Sequence, residues 1–330
     1  MIAPDFTALV ERLKSQNGLH AKRDIQAPAA VFGHHPFSEL GVVSRLGDDA
    51  AVVPAQSGSL LFACEGMHPD LVNDDPWFAG WSGVLVNLSD IAAMGGRPLA
   101  LVNSVWSAGE QAVAPLLAGM RFACDKFSIP MVGGHTNSQS PYTALSVAVL
   151  GVAEGPVLSA RAAQSGDLLV LLIDGYGSFY RHYPFWDAAT AAEPSRLQSQ
   201  LALLPRLAQA GIARAAKDIS MGGLVGTAAM FAEACGLGIR IDLDAIPCPP
   251  EIDELAWLSC FPSFGFLLAV CSGELNSLQK MVSGHPNLIC ASIGSFEADC
   301  RGVDLRQNEQ TQQLWDGTTS LTGFGAVASP

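Results

Sequence analysis

Apolar residues recur along this chain at two spacings, helical in some stretches and alternating in others, with glycine and proline marking the switches. Phe6, Leu9, Val10 and Leu13 follow a helical period among Asp5, Glu11, Arg12 and Lys14, which predicts an amphipathic helix within residues 1–18 rather than a signal peptide. A loop-like stretch follows over 22–37, then a strand candidate broken by Gly47-Asp48-Asp49. Residues 50–53 and 60–64 are expected as short strands joined by a Pro/Gly/Ser turn. Asp74-Asp75-Pro76 signals a helix start, with a carboxylate cap and proline in the first turn, and Gly95-Gly96 before Pro98 stops that helix. Trp77, Trp81, Leu85 and Leu88 fall on one face of it. Asn87 and Asp90, three apart, are neighbours on its surface, and because the rest of the helix is almost wholly apolar, this polar pair is expected to face a site.

A second helix is predicted over 110–127, a strand over 129–132 that ends in Gly133-Gly134-His135-Thr136, and another strand over 144–152. Glu154-Gly155-Pro156 and the polar stretch 159–167 make the best boundary, giving an N-terminal domain over 1–155 and a C-terminal domain over 156–330. Residues 168–173 restart as a buried strand, and 183–195 have the look of a surface insertion. Asp218-Ile219-Ser220 leads into Gly222-Gly223 and a helix ending at Gly236-Leu237-Gly238. Strands over 239–243 and 264–270, a turn over 247–250 and a helix over 273–282 follow, while the polar tail from Arg306 carries little pattern. Strands interleave with helices in both halves, so the class is mixed α/β (α+β) without a solenoid repeat.

A length of 330 residues fits about two domains, and 49% hydrophobic against 15% charged residues describes a chain that folds on its own core. The 31 acidic and 18 basic residues leave a net charge of -13 with no Lys/Arg cluster to offset it, so nucleic acid is not an expected partner. An acidic protein that handles phosphate needs metal ions to present positive charge to it. The eight cysteines, at 64, 124, 235, 248, 260, 271, 290 and 300, include no Cys-x-x-Cys pair and are expected as buried free thiols rather than zinc ligands or disulfides. No uncharged apolar run reaches the roughly 18 residues a membrane span needs, so a cytoplasmic protein without membrane attachment is expected.

Four segments combine glycine with polar side chains at element junctions: Gly47-Asp48-Asp49, Asn87-Leu88-Ser89-Asp90, Gly133-Gly134-His135-Thr136-Asn137 and Asp218-Ile219-Ser220-Met221-Gly222-Gly223. Glycine lets backbone N–H groups approach phosphate oxygens, and carboxylates can hold the magnesium that neutralises them. Each has a plainer reading. Gly47-Asp48-Asp49 is also ordinary turn chemistry, Asp90 could be a helix carboxylate meeting solvent, and Asp218 or Ser220 could simply cap a helix. His135 could be structural or, with His68 and the His34-His35 pair, could belong to a metal site.

The run DDPWFAGWSGVLVNLSDIAAMGGRP, residues 74–98, is similar to a helix of selenophosphate synthetases and thiamine monophosphate kinases that carries an N-x-SD-x-x-AMG pattern. Gly133 to Thr136 resembles the GGHT of the selenophosphate enzymes, GDDAAV at 47–52 the start of the kinase pattern, and DISMGGL at 218–224 the second-domain DVSDGL motif. The chain thus resembles the AIR synthase-related (PurM-like) superfamily over about residues 40–300, with four segments in the same order. That resemblance implies two domains, the N-terminal one forming a β-barrel across a homodimer interface and the C-terminal α+β domain closing over an ATP site. By position, Asp48, Asp49 and Asp90 would hold Mg2+. Glu65, near an aspartate of the kinases, is a fourth candidate. Asn87, Gly133, Gly134, His135, Thr136 and Asn137 would line the nucleotide, joined by Gly222 and Gly223, with Asp218 and Ser220 as catalytic candidates. Residues 14–46 hold no cysteine where the selenophosphate enzymes carry a reactive one, and the kinases have Asp at the places of His135 and Met221.

The function expected is ATP- and Mg2+-dependent phosphoryl transfer to, or phosphate activation of, a small metabolite. Such chemistry asks mainly for positioning and charge neutralisation, so a missing nucleophile is no objection. A nucleotide-binding assembly or maturation protein with little turnover is the alternative, and a histidine-liganded metal hydrolase using His68 and His135 a third reading.

Overall fold

In the computed structural model, which describes residues 5–32 and 47–325, the chain forms two compact units. The smaller holds residues 49–157 and 191–209, and the larger holds the described residues up to Asp48 with 158–190 and 210–325. Asp48 and Asp49 therefore belong to different units.

In the smaller unit, β1 (Ala51–Pro54), β2 (Ser59–Gly66), β3 (Arg97–Trp106), β4 (Met131–Asn137) and β5 (Ala144–Ala153) form one sheet in the order β1-β2-β5-β3-β4. Neighbours are antiparallel except β3 and β4, which run parallel. Alternation along the strands turns Leu61, Ala63, Leu101, Val105, Leu145, Val147 and Val149 to one buried face, and the Pro76–Ala93 helix packs there. Its start was legible in the sequence: Asp75 Oδ1 accepts from Phe78 N at 3.1 Å, with Pro76 in the first turn. The Glu110–Phe127 helix packs against it through glycines. A Cβ on Gly80 would lie 2.1 Å from Leu116 O and one on Gly119 1.9 Å from Trp77 O, so the backbones meet where no side chain fits. The opposite face of the sheet presents Phe62, Val102 and Leu150, 50%, 40% and 37% exposed.

The larger unit is built on β6 (Leu168–Asp174), β7 (Ser178–Phe179), β8 (Phe185–Asp187), β9 (Ala213–Asp218), β10 (Gly238–Asp242), β11 (Phe261–Pro262), β12 (Gly265–Val270), β13 (Leu288–Glu297), β14 (Val303–Gln307) and β15 (Gln310–Trp315). Seven of them make a sheet in the order β15-β14-β10-β13-β6-β12-β9, and β11-β8-β7 form a small second one. One hydrophobic core joins the sheet to the Gly223–Cys235 helix and the amphipathic Phe6–Lys14 helix, with Leu9, Val10, Leu13, Val225, Ala229, Leu171, Leu267 and Ile241 in it. Phe231 and Phe296 meet edge to face at 5.0 Å.

Several expectations are corrected. The stretch expected as loop from residue 22 is helical as far as it is described, with a 3-10 turn over Ala21–Ile25 and a helix over Gln26–Phe32. The strand expected over 129–132 is present as β4 but starts at Met131 and runs through the Gly-Gly-His-Thr segment to Asn137. The tail beyond Arg306 completes β14 and adds β15 as an antiparallel pair. The insertion at 183–195 contains β8 and runs into the Pro194–Leu201 helix. All eight cysteines are free, but only Cys124 and Cys260 are buried, while Cys64 and Cys248 are exposed. No helix of the described residues is long and apolar enough to cross a membrane.

Candidate functional site

The polar pair on the Pro76–Ala93 helix sits where a polar pair is costly. Fourteen of the eighteen helix residues are buried, Asn87 fully and Asp90 with 6% exposed. Asn87 Nδ2 donates to Gly83 O, one turn back, at 2.7 Å, while its Oδ1 is enclosed and has no hydrogen-bond partner. An unpaired buried carbonyl oxygen costs about 1–3 kcal/mol, so a native fold retains one mainly where a donor or cation arrives from elsewhere.

Strand register relates this helix to two other candidates. Glu65 of β2 pairs with Val147 of β5, Val147 with Asn103 of β3, and Asn103 with Gly134 of β4. These four positions form one row across the sheet, about 14 Å from end to end at the usual strand spacing. They share the face carrying Leu61, Ala63, Leu101 and Val105, which meets the helix. A Cβ on Gly83 would touch Val147 Cγ2 at 3.3 Å, so the turn that holds Asn87 stands over the middle of the row. Gly134 is needed there, because a Cβ would lie 2.7 Å from Asn103 O and 2.9 Å from Asn103 Oδ1. Thr136 shares the side of Gly134, whereas Gly133, His135 and Asn137 alternate to the open face. Asn137 Oδ1 accepts from Gln139 N at 3.0 Å, a turn-forming bond. Asp49 lies half-buried just before β1.

In the larger unit Asp48 has a structural task. Its Oδ2 accepts from Ser159 Oγ at 2.6 Å and its Oδ1 from Ala160 N at 2.9 Å, fixing the 3-10 turn Ala160–Ala162. Asp218, at the end of β9, is buried and pairs with Phe266 of β12. Ser220 N donates to Thr227 Oγ1 at 3.2 Å, and Ser220 O accepts from Gly223 N at 2.8 Å. Gly222 caps the Gly223–Cys235 helix without a side-chain bond. Gly223 has φ +66, and a Cβ on it would lie 2.5 Å from Leu258 O, so glycine is required on both counts.

Two residues of this loop escaped the sequence reading. Thr227 is one turn into the helix, and its fully buried hydroxyl holds the loop in place. Lys22 Nζ donates to Ser220 Oγ at 3.0 Å across 198 residues of sequence, and no local pattern signals such a contact.

The histidines do not gather. His68 Nδ1 accepts from Asp70 N at 3.3 Å as the cap of a short helix, His135 lies on the open sheet face, and His34 and His35 fall outside the described residues. Among the described residues no group of three or more His, Cys, Asp and Glu could hold a metal ion. Mg2+ commonly takes one or two carboxylates and completes its shell with phosphate oxygens and water. An enclosed amide oxygen beside a buried carboxylate, with no sulfur or imidazole in the set, suits that hard cation arriving with a phosphate. Burial pushes the thiols of Cys235 and Cys290 up to about 11 and that of Cys260 up to about 12, so these three are not thiolate nucleophiles.

Residues 47–153 match the family described as AIR synthase related protein, N-terminal domain, and residues 164–304 match the AIR synthase related protein, C-terminal domain. Uncharacterized protein sll0787 of Synechocystis sp. is 42% identical over 321 residues, covering 97% of this chain and 98% of that protein. The thiamine-monophosphate kinase of Halobacterium salinarum is 29% identical over 295 residues, 83% of this chain and 96% of the kinase. Among solved structures, AaThiL complexed with AMPPCP and TMP superposes with a TM-score of 0.62 at 20% identity, over 84% of this chain and 94% of its own. T. maritima PurL complexed with ATP gives 0.68 at 16% identity over 85% of this chain. This chain matches only 47% of that PurL, about half its length. At these identities the two structures speak for the fold alone.

Proposed function

The chain belongs to the AIR synthase-related protein family, and on that premise we propose that it transfers a phosphoryl group from ATP, with Mg2+, to a small metabolite. The observation that carries this reading is the enclosed Asn87 Oδ1 beside buried Asp90 in a helix otherwise given over to apolar packing. Relatives named as thiamine-monophosphate kinases, and structures of relatives holding ATP or its analogue AMPPCP, support the nucleotide.

Asp90, Glu65 and Asp49 are the residues that would hold Mg2+, with Asp48 left to its turn. When bound, the ion would neutralise phosphate charge and polarise the P–O bond that breaks as the phosphoryl group moves. Gly134 leaves its backbone bare of a side chain, so the β4 edge can accept a nucleotide at close range, and Thr136 adds a hydroxyl on the same side. Asn87 orients what lies against its carbonyl. Taken by itself, the 218–223 loop of the larger unit would suit an anion through the Ser220 hydroxyl and the glycine-capped helix start, and Asp218 would be the candidate base there.

Calorimetric titration of the full chain with Mg·ATP tests this. Wild type is expected to bind, and Asp90→Ala to bind at least tenfold more weakly, with ATP affinity falling when Mg2+ is withheld. Equal and negligible binding by both proteins would remove the proposal. Met221, 42% exposed where the kinases carry Asp, favours a second reading as a nucleotide-dependent assembly protein. Tight ATP binding without hydrolysis or transfer across a panel of phosphate acceptors would select it.

A further inference from the structure

Within the smaller unit, a cavity of about 590 Å3 is walled by the Glu110–Phe127 helix on one side and by Asn103 of β3 and the approach to β4 on the other. That volume falls in the range of small-molecule sites. Leu117, Met120, Ile129, Pro130 and Met131 make the wall largely apolar, and Leu117 is 44% exposed. Burial raises the pKa of the Cys124 thiol, so this group lines the cavity uncharged.

The polar groups gather along the last turns of the helix. Arg121 Nε donates to Asp125 Oδ2 at 2.8 Å, and both side chains are exposed. That bond leaves the Nη edge of the guanidinium for a carboxylate and the second Asp125 oxygen for a cation. The helix's terminal carbonyls add negative potential on the Asp125 side. The end of the cavity is preformed. Ser128 closes the helix in the left-handed conformation, φ 55, with its N–H donating to Cys124 O. Gln198 Nε2 then donates to Ser128 Oγ at 3.1 Å and to Lys126 O at 2.8 Å, tying this turn to the Pro194–Leu201 helix of the same unit. A ligand with one charge matches one member of the Arg121–Asp125 pair, whereas one with both signs on neighbouring atoms matches both.

We propose that this cavity binds a small zwitterion of the amino-acid type with an apolar side chain, its carboxylate on Arg121, its ammonium on Asp125 and its side chain among Leu117, Met120 and Met131. Asn103 belongs both to this cavity and to the row through Gly134, so the bound molecule lies beside the strand proposed to take the nucleotide. The binding itself does not depend on the nucleotide reading.

Titrate the full chain, without nucleotide, with L-leucine and L-phenylalanine at up to millimolar concentration, following binding by calorimetry and saturation-transfer NMR. Beside them run analogues that each lack one charge: isocaproate and isoamylamine, phenylpropanoate and phenethylamine. At least one amino acid is expected to bind tenfold or more tightly than both of its analogues. Arg121→Ala, Asp125→Asn and Leu117→Glu are each expected to lose tenfold or more of that affinity with circular dichroism unchanged, since all three side chains are exposed. Silence from both amino acids overturns the inference and leaves the nucleotide reading standing. Analogues that bind as well as their parent overturn the zwitterion, and affinity unmoved by Arg121→Ala and Leu117→Glu shows that the ligand sits elsewhere.

Discussion

At Asn87 the demands of stability and of the proposed function can be told apart in a single residue. Its carboxamide gains one bond, Nδ2 to Gly83 O, worth about 1 kcal/mol net, and leaves Oδ1 desolvated at a cost of about 1–3 kcal/mol. Asn87→Leu, which keeps the branched outline with larger ends, removes both. The variant is therefore expected to be more stable than wild type by about 1 kcal/mol, read as a raised denaturation midpoint, and to bind Mg·ATP at least tenfold more weakly. Lowered stability with unchanged ATP binding would show that the amide serves the helix alone. Asp48 is the contrasting case. The sequence presents Asp48 and Asp49 as twin carboxylates, but Ser159 Oγ and Ala160 N, over a hundred residues away in sequence, decide that the first is a cap.

At the scale of elements, what was legible followed from local chemistry. The Pro76–Ala93 helix declared itself through Asp75, Pro76 and the closing glycines, and the Phe6–Lys14 helix through its apolar period. The Gln26–Phe32 helix and the β14–β15 pair were not legible, because each is held by distant partners rather than by its own pattern. Gln26 Nε2 donates to Ser320 O at 2.7 Å and Leu321 O at 3.0 Å, and Gln312 Nε2 to Thr7 Oγ1 at 2.7 Å. The C-terminal segment hangs largely on Glu233, whose carboxylate accepts from Leu321 N and Thr322 N at 2.8 Å each, from Ser320 Oγ at 3.0 Å and from Thr322 Oγ1. Hydrogen bonds to a charged group contribute about 1.5–3 kcal/mol each and overlap in a shared network. Glu233→Ala is thus expected to cost about 3 kcal/mol and to expose residues 320–325 to hydrogen exchange first. Uniform protection of that segment in the variant would show that Arg161, which donates to Phe324 O at 3.2 Å, and Gln26 suffice to hold it.

At the scale of the whole molecule, the smaller unit's sheet keeps one face that the helices leave bare. Register sets Phe62 beside Leu150, Leu150 beside Ala100, Cys64 beside Ala148, and Ala148 beside Val102, so the exposed apolar side chains are contiguous rather than scattered. Five strands at the usual spacing give a surface about 19 Å wide, and contiguous exposed apolar side chains rimmed by polar ones mark an interaction surface. A net charge of -13 keeps copies apart at long range, yet this face carries none of that charge at those positions, so close approach there meets little opposition. A second copy bringing the same face buries apolar rows against apolar rows and satisfies the self-complementarity a two-fold interface demands. The chain is therefore expected to sediment as a homodimer. Val102→Asp, at the centre of the face and away from the row through Glu65, Asn103 and Gly134, is expected to sediment as a monomer with its circular dichroism unchanged, because an unpaired carboxylate would have to be desolvated on docking. Dimers of undiminished affinity in that variant would move the interface elsewhere, and monomeric wild type at micromolar concentration would leave the bare face to a different partner.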